Sequence, residues 1–295
     1  MSEEGHTIAL PDGRKLGYLI IGEGKPVFYF HGSPLSRLDV LNLRDVAYSK
    51  HLQMIGVDRP GFGLSTFKPN RKIRDFTADI RFLADHLGID RFSLIGYSSG
   101  GPYGIASAAS MPERVTRAII IGGISLPIDY SELTKEAQIY SRLVLKPIIG
   151  TLIVKKQRDT FLKWAKAPDD FIKTNVGRKA IENFSESDLK FWTQPSDVRD
   201  LFFRSVVEAY RQGSDSIKSL IQEERLFQSE WDVDLRQIPP GVVYIWHGSA
   251  DNSVPISNAN RNAEMIPRPI LKIIENEGHF SSFFNHLDEI GELLG

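Results

Sequence analysis

Three side chains in this chain are of the types that make a nucleophile, the base that takes its proton and the acid that orients the base: Ser98, His279 and Asp251. Ser98 stands in Gly96-Tyr-Ser98-Ser-Gly100, after the strand-like Phe92-Ser-Leu-Ile95 and before the small, helix-compatible Ile105-Ala-Ser-Ala-Ala109. Strand, sharp turn and helix around Gly-x-Ser-x-Gly form the setting of a nucleophile elbow. The spacing has a steric reason. A serine at such a turn holds strained backbone geometry, so the residues two before and two after it must be small. Its hydroxyl then stands clear of both elements, and the helix N-terminus points N–H groups at developing negative charge. Pro102 suits the first helical turn, where its missing N–H has no partner to lose. The same five residues also occur as a plain structural turn; the flanking strand and helix favour the chemical reading.

A serine hydroxyl is a poor nucleophile at neutral pH and needs a base to take its proton during attack. His279, in Gly278-His279-Phe280, is the candidate base. His31 and His247 belong to other loop motifs, His6, His51 and His86 lie outside them, and His286 falls within a closing helix. Asp251, in His247-Gly-Ser-Ala-Asp251-Asn-Ser-Val-Pro255, would fix the imidazole tautomer and stabilise the imidazolium. Its bland reading is an Asp-Asn turn.

These residues need elements to carry them. His6–Leu10 and Arg14–Ile21 look like a hairpin across Pro11-Asp-Gly13. Pro26–Phe30, Leu52–Val57, the stretch before Ser98, Val115–Ile121, Gly241–Trp246 and Ile270–Ile274 have the apolar character of strands buried on both faces. Arg74–Leu87 spaces Phe76, Ile80, Leu83 and Leu87 as one helix face and stops at Gly88. Alternation at this spacing predicts an α/β protein with a mostly parallel sheet covered on both sides. Ser98, Asp251 and His279 then fall at C-terminal strand ends, the edge where open α/β sheets hold their sites. From 124 to 236 the strand rhythm stops and aromatic-rich helical segments take over, which predicts a helical insertion after the sixth strand. Most of those aromatics are expected to be the insertion's own core, with a few walling a pocket. The run Leu143–Val154 is expected to pack as a helix, the other reading being an apolar lip that touches lipid.

Composition narrows the function. The 36 basic and 37 acidic residues leave a formal charge of -1, without the basic excess of a nucleic-acid binder. No cysteine is present, so disulfides, thiol catalysis and cysteine-ligated metals are excluded. No paired histidines at ligand spacing, phosphate loop or Gly-x-Gly-x-x-Gly after a strand is found, and no cofactor is expected. Met1–His6 has neither the basic nor the apolar region of a leader, and no apolar run nears the ~20 residues of a membrane span. A cytoplasmic protein is the expectation, with a homodimer left open.

The chain order Ser, Asp, His, with His31-Gly-Ser-Pro34, Asp58-Arg-Pro-Gly-Phe-Gly-Leu-Ser65, Gly96–Gly100, His247–Pro255 and Gly278-His279-Phe280, resembles the α/β-hydrolase fold superfamily over essentially the whole length, and within it a capped, esterase- or lipase-like serine hydrolase. The resemblance implies a core of 1–123 and 237–295 with a helical cap at 124–236. It implies that backbone N–H groups of Ser33 and Ser99 hold the oxyanion, that His31 and Gly32 lie near substrate, and that Asp58 and Arg59 brace the loop without taking part in catalysis. Tyr97 and Tyr103 flank Ser98 and have two readings, substrate contact or packing. Some members place the acid after the preceding strand; here Gly122–Asp129 has no well-placed carboxylate. Dehalogenases and epoxide hydrolases carry aspartate where this chain has Ser98. The expected activity is cleavage of small to medium esters with apolar acyl or alcohol groups. The same triad also serves C–C bond, lactone or amide hydrolysis and perhydrolysis, and a small-molecule receptor on this scaffold is the reading from another class.

Overall fold

The computed structural model describes residues 5–133, 135–194 and 196–295; Met1–Glu4, part of the stretch read for a leader, lie outside the described residues. Eight strands follow in chain order: β1 (His6–Ala9), β2 (Lys15–Ile21), β3 (Lys25–Phe30), β4 (Leu52–Val57), β5 (Phe92–Tyr97), β6 (Val115–Ile121), β7 (Val243–Gly248) and β8 (Ile270–Ile274). They make one sheet in the order β1-β2-β4-β3-β5-β6-β7-β8. β2 pairs antiparallel with β1 and β4, and every other neighbouring pair is parallel.

Register explains why the strands look uniformly apolar. Phe28, Leu94, Ala118 and Val243 lie side by side across four strands and share one core cluster. One residue on, Tyr29, Ile95 and Ile119 are again in register but belong to the cluster on the other face. The two-residue period sends alternate side chains to opposite faces, so both must be apolar where both faces are covered. Each fully buried aliphatic contributes roughly 1.5–3 kcal/mol.

The helices are α1 (Arg44–Ser49), α2 (Ile73–His86), α3 (Gly101–Ser110), α4 (Lys135–Val144), α5 (Pro147–Ala165), α6 (Asn175–Ile181), α7 (Glu186–Thr193), α8 (Asp197–Ala209), α9 (Ser214–Phe227), α10 (Ser257–Met265), α11 (Ser281–Phe284) and α12 (Leu287–Leu294). α2, α3 and α10 cover one face, α1, α11 and α12 the other. α2 buries Ile73, Phe76, Ile80 and Leu83, and the Asp75 carboxylate accepts the Lys72 N–H at 2.7 Å to cap its start. It ends against Gly88, whose φ of +69° suits a residue without Cβ. The closing helix expected around His286 is two, α11 and α12, because the His286 backbone (φ -122°, ψ 19°) leaves the helical region between them.

Between β6 and β7 the described residues contain helices α4–α9 and short 3₁₀ turns and no strand. The aromatics there divide in three. Trp164, Phe171, Trp192 and Phe203 cluster with Phe280. Tyr210 joins Leu35 and Phe62 from loops at the sheet edge. Phe227 belongs to the sheet core itself. Among the described residues no helix is long and apolar enough to cross a membrane.

Candidate active site

Ser98 follows β5 directly and takes a φ of 55°, a left-handed conformation that is uncommon for a residue with a side chain. The two glycines of the elbow are required by close approach. A Cβ on Gly96 would lie 2.8 Å from the Gly100 carbonyl oxygen, and one on Gly100 would lie 2.1 Å from that of Phe30. A short 3₁₀ turn, Ser98–Gly100, leads into α3 with Pro102 in its first turn. The loop after β3 comes to the same point: a Cβ on Gly32 would sit 3.4 Å from the Cβ of Ser98.

Asp251 and His279 arrive from the loops after β7 and β8 and meet at 2.7 Å, His279 Nδ1–H donating to Asp251 Oδ2. That bond leaves Nε2 as the basic nitrogen of the ring. The other carboxylate oxygen accepts the N–H groups of Ser253 and Val254, both at 2.8 Å. The Asp-Asn turn and the acid are therefore one structure, since the turn fixes Oδ1 while Oδ2 holds the histidine. Burial works against charge on both partners. Their mutual attraction overcomes it, holding the Asp251 carboxyl below its ordinary range and raising the His279 imidazolium above its own. His247 Nε2 donates to the Val254 carbonyl at 2.8 Å, and burial pushes the pKa of this ring below its ordinary value despite the nearby Asp251 carboxylate. Gly122 (φ +53°), just past β6, leaves room for the histidine: a Cβ there would come within 3.0 Å of the ring.

The loop His31–Ser33 is held from behind. Arg59 donates to the His31 carbonyl, to that of Gly32 at 3.4 Å and to Ser99 Oγ at 3.4 Å. Arg59 thus braces the loop directly, whereas the Asp58 carboxylate holds Arg37 at 2.9 Å and the Leu64 N–H at 2.8 Å, beside the loop and not on it. The Ser33 N–H, outside any helix or strand, donates to no acceptor among the described residues. The Ser99 N–H lies in a first helical turn, where no intrahelical acceptor exists. The residues expected near substrate are mostly enclosed. His31 is fully buried, with Nδ1 against the Gly32 carbonyl at 2.7 Å and Nε2 facing the Arg59 N–H at 3.5 Å. Tyr103 is equally buried and donates to Glu223 at 3.1 Å. Tyr97 lays its ring 5.2 Å from that of His279. These three therefore support the site from inside, while Gly32 approaches the Ser98 side chain.

Two carboxylates of the insertion escape a sequence reading. Glu223 on α9 is 1% exposed and receives Arg59 at 2.6 Å and Arg71 at 2.7 Å. Burial pushes its carboxyl up, but the two guanidinium charges hold it down to about 2. Its position carries a signal: Ser219, Leu220, Leu226 and Phe227 flank it at the i±3 and i±4 places, so a glutamate sits on the buried face of its helix. Asp188 on α7 accepts the backbone N–H groups of His279 (2.7 Å), Phe280 (3.0 Å) and Ser281 (2.8 Å). Here the local signal misleads. Ser185-x-x-Asp188 has the form of a capping box, and Ser185 does cap α7, but the aspartate turns away to the histidine loop.

Within the insertion lies a cavity of about 590 Å³, walled chiefly by aromatics such as Phe161, Trp164, Phe184, Trp192 and Phe202. Ser98, Asp251 and His279 do not line it, but Phe280, the next residue after His279, does.

A family model described as the alpha/beta hydrolase fold matches residues 25–145. Among curated relatives, the cis-3-alkyl-4-alkyloxetan-2-one decarboxylase of Shewanella oneidensis is 32% identical over 49% of this chain and 46% of that protein. The chain thus spans less than half the length of the first curated relatives it matches. The 2-hydroxy-6-oxo-6-(2'-aminophenyl)hexa-2,4-dienoic acid hydrolase of Metapseudomonas resinovorans matches at 25% identity over 91% of this chain and 82% of its own length. Among solved structures, an esterase from Exiguobacterium antarcticum superposes with a TM-score of 0.66 at 21% identity, covering 98% of this chain and 97% of that one. Sheet order, strained serine and matched residues agree on one architecture: the chain has the α/β-hydrolase fold.

Proposed function

We propose that this hydrolase cleaves carboxylic esters through an acyl-enzyme on Ser98. The observation that carries the reading is the 2.7 Å Asp251–His279 bond, which leaves Nε2 free as a base, in a fold that also holds Ser98 in left-handed geometry. Ser98 Oγ attacks the ester carbonyl while His279 Nε2 takes its proton, and Asp251 steadies the imidazolium. The Ser33 and Ser99 N–H groups receive the oxyanion. Collapse of the tetrahedral intermediate breaks the ester C–O bond and His279 returns the proton to the leaving alkoxide. Water, deprotonated by the same histidine, then attacks the acyl carbon; the bond to Ser98 Oγ breaks, His279 returns the proton to that oxygen and the acid leaves. Residues 124–236 act as a cap over a core of 1–123 and 237–295, and the aromatic cavity takes the apolar part of the substrate. The test is turnover of p-nitrophenyl esters from acetate to decanoate by wild type and Ser98→Ala. Loss of about six orders of magnitude in kcat is expected, and activity surviving the substitution would sink the assignment.

One observation favours a second reading with the same triad. The dienoic acid hydrolase matches along most of both chains. Its name makes C–C bond cleavage the alternative reaction here. Ser98-dependent turnover of a 2-hydroxy-6-oxo-dienoate, with p-nitrophenyl esters left untouched, would replace ester hydrolysis by that reaction.

A further inference from the structure

The run Leu143–Val154 divides between the two fates open to it. Val144, Gly150 and Val154 are buried, which satisfies the packing expected for one face. The other face is not covered: Ile148 is 77% exposed, Ile149 41% and Leu152 61%. Val176 at the start of α6 is 62% exposed and lines one surface groove with Leu152. Such large, freely exposed aliphatics in adjoining segments call for an explanation in a way that scattered ones do not.

Charge is gathered at the same place. Residues 135–166 hold eight lysines and arginines against two acids, in a chain that overall has 36 basic and 37 acidic residues. On α5, Ile148, Leu152, Lys155, Asp159 and Lys163 follow one another at helical spacing and are all exposed. Lys155, Lys156 and Lys163 line the groove beside Leu152 and Val176, and none of the three has an ion-pair partner among the described residues. The groove runs into the aromatic cavity, with which it shares Lys156, Thr160, Trp164 and Val176.

We propose that this face of α5 and the start of α6 docks on an anionic lipid surface. Ile148, Ile149 and Leu152 enter the boundary between headgroups and acyl chains, and the flanking lysines pair with lipid phosphates. A second copy is a poorer occupant, because a symmetric contact would set this cationic face against itself. The shared wall of groove and cavity gives apolar molecules a route from the bilayer to the interior of the insertion. The docking needs no reaction at Ser98, so it stands apart from the ester assignment.

The test is co-sedimentation of the full chain with phosphatidylcholine vesicles, with and without phosphatidylglycerol. Binding is expected only to the anionic vesicles, and it should weaken as salt screens the lysines. Ile148→Ser/Leu152→Ser and Lys155→Glu/Lys163→Glu should each lower partitioning at least about tenfold, since each basic residue near such a surface is worth roughly a factor of five. Unchanged circular dichroism would show that the variants fold, and the salt titration of wild type needs no variant. No binding to either vesicle, or equal binding to both, would overturn the proposal. So would a wild-type dimer in sedimentation that Ile148→Ser/Leu152→Ser converts to monomer, which would assign the face to a second copy.

Discussion

The sheet and the insertion are both apolar inside, but they are built differently. In the sheet, strands in register stack aliphatic side chains on two faces, and residues such as Phe28, Ile95 and Ile119 are fully buried. In the insertion, aromatic rings meet mostly edge to face, among them Trp164 with Phe171 at 4.6 Å and Trp192 with Phe202 at 4.9 Å, and a cavity of about 590 Å³ remains between them. A close-packed region fixes positions, whereas a region with a cavity can accommodate something else. Division of labour follows. The sheet edge carries the groups suited to bond chemistry, and the insertion carries space. The insertion also reaches back: Glu223 pairs with Arg59, which holds the His31–Ser33 loop, and Asp188 binds the loop that carries His279.

The largest expected effect breaks the idea that the insertion is passive. Glu223→Gln leaves Arg59 and Arg71 buried without a countercharge, a loss of about 3–5 kcal/mol of stability that urea denaturation would measure. The pH dependence has a defined sign. A carboxyl held down to about 2 from 4.5 contributes stability that is complete above 4.5 and lost as pH falls toward 2. Wild type should lose that contribution across this window, and Glu223→Gln should not.

Truncations sharpen the contrast between the regions. Ile119→Ala in β6 should cost about 2–5 kcal/mol, as buried large-to-small changes do. Phe184→Ala on the cavity wall, where the ring is half-buried, should cost only about 1 kcal/mol. It should instead move the preferred p-nitrophenyl ester toward longer chains. Equal losses of stability from the two, with ester preference unmoved, would show that the cavity is structural.

Asp188→Asn is the most delicate. Burial lowers the His279 pKa, Asp251 raises it and Asp188 adds to the rise. The base works when neutral, so kcat/KM should climb with pH through a midpoint above the ordinary 6.5. Removing the Asp188 charge should shift that acid limb to lower pH. Any fall in kcat, up to roughly a hundredfold if the loop moves, would be separate. A lower kcat with an unmoved limb would make Asp188 a purely structural support.

By itself the sequence determined the sheet and the serine elbow, because both rest on local rules. Buried parallel strands need unbroken apolar runs, and a strained turn between close-packed backbones needs glycine at Gly96 and Gly100. The candidate acid and base were legible for the same reason, each lying just past a strand end. What lies far apart in the chain was decided only by tertiary structure. Asp188 resembles a local helix cap until the fold brings it to three amides more than ninety residues away. Glu223 shows a misplaced charge but not its partners, and His31, Tyr97 and Tyr103 stand near Ser98 in motif or sequence yet point into the protein. The run Leu143–Val154 fits either packing or exposure by composition, since apolar residues on a helix do not say which neighbours arrive. Helix spacing buries one face at Val154 and leaves Ile148 and Leu152 open, and contact across the chain made that choice.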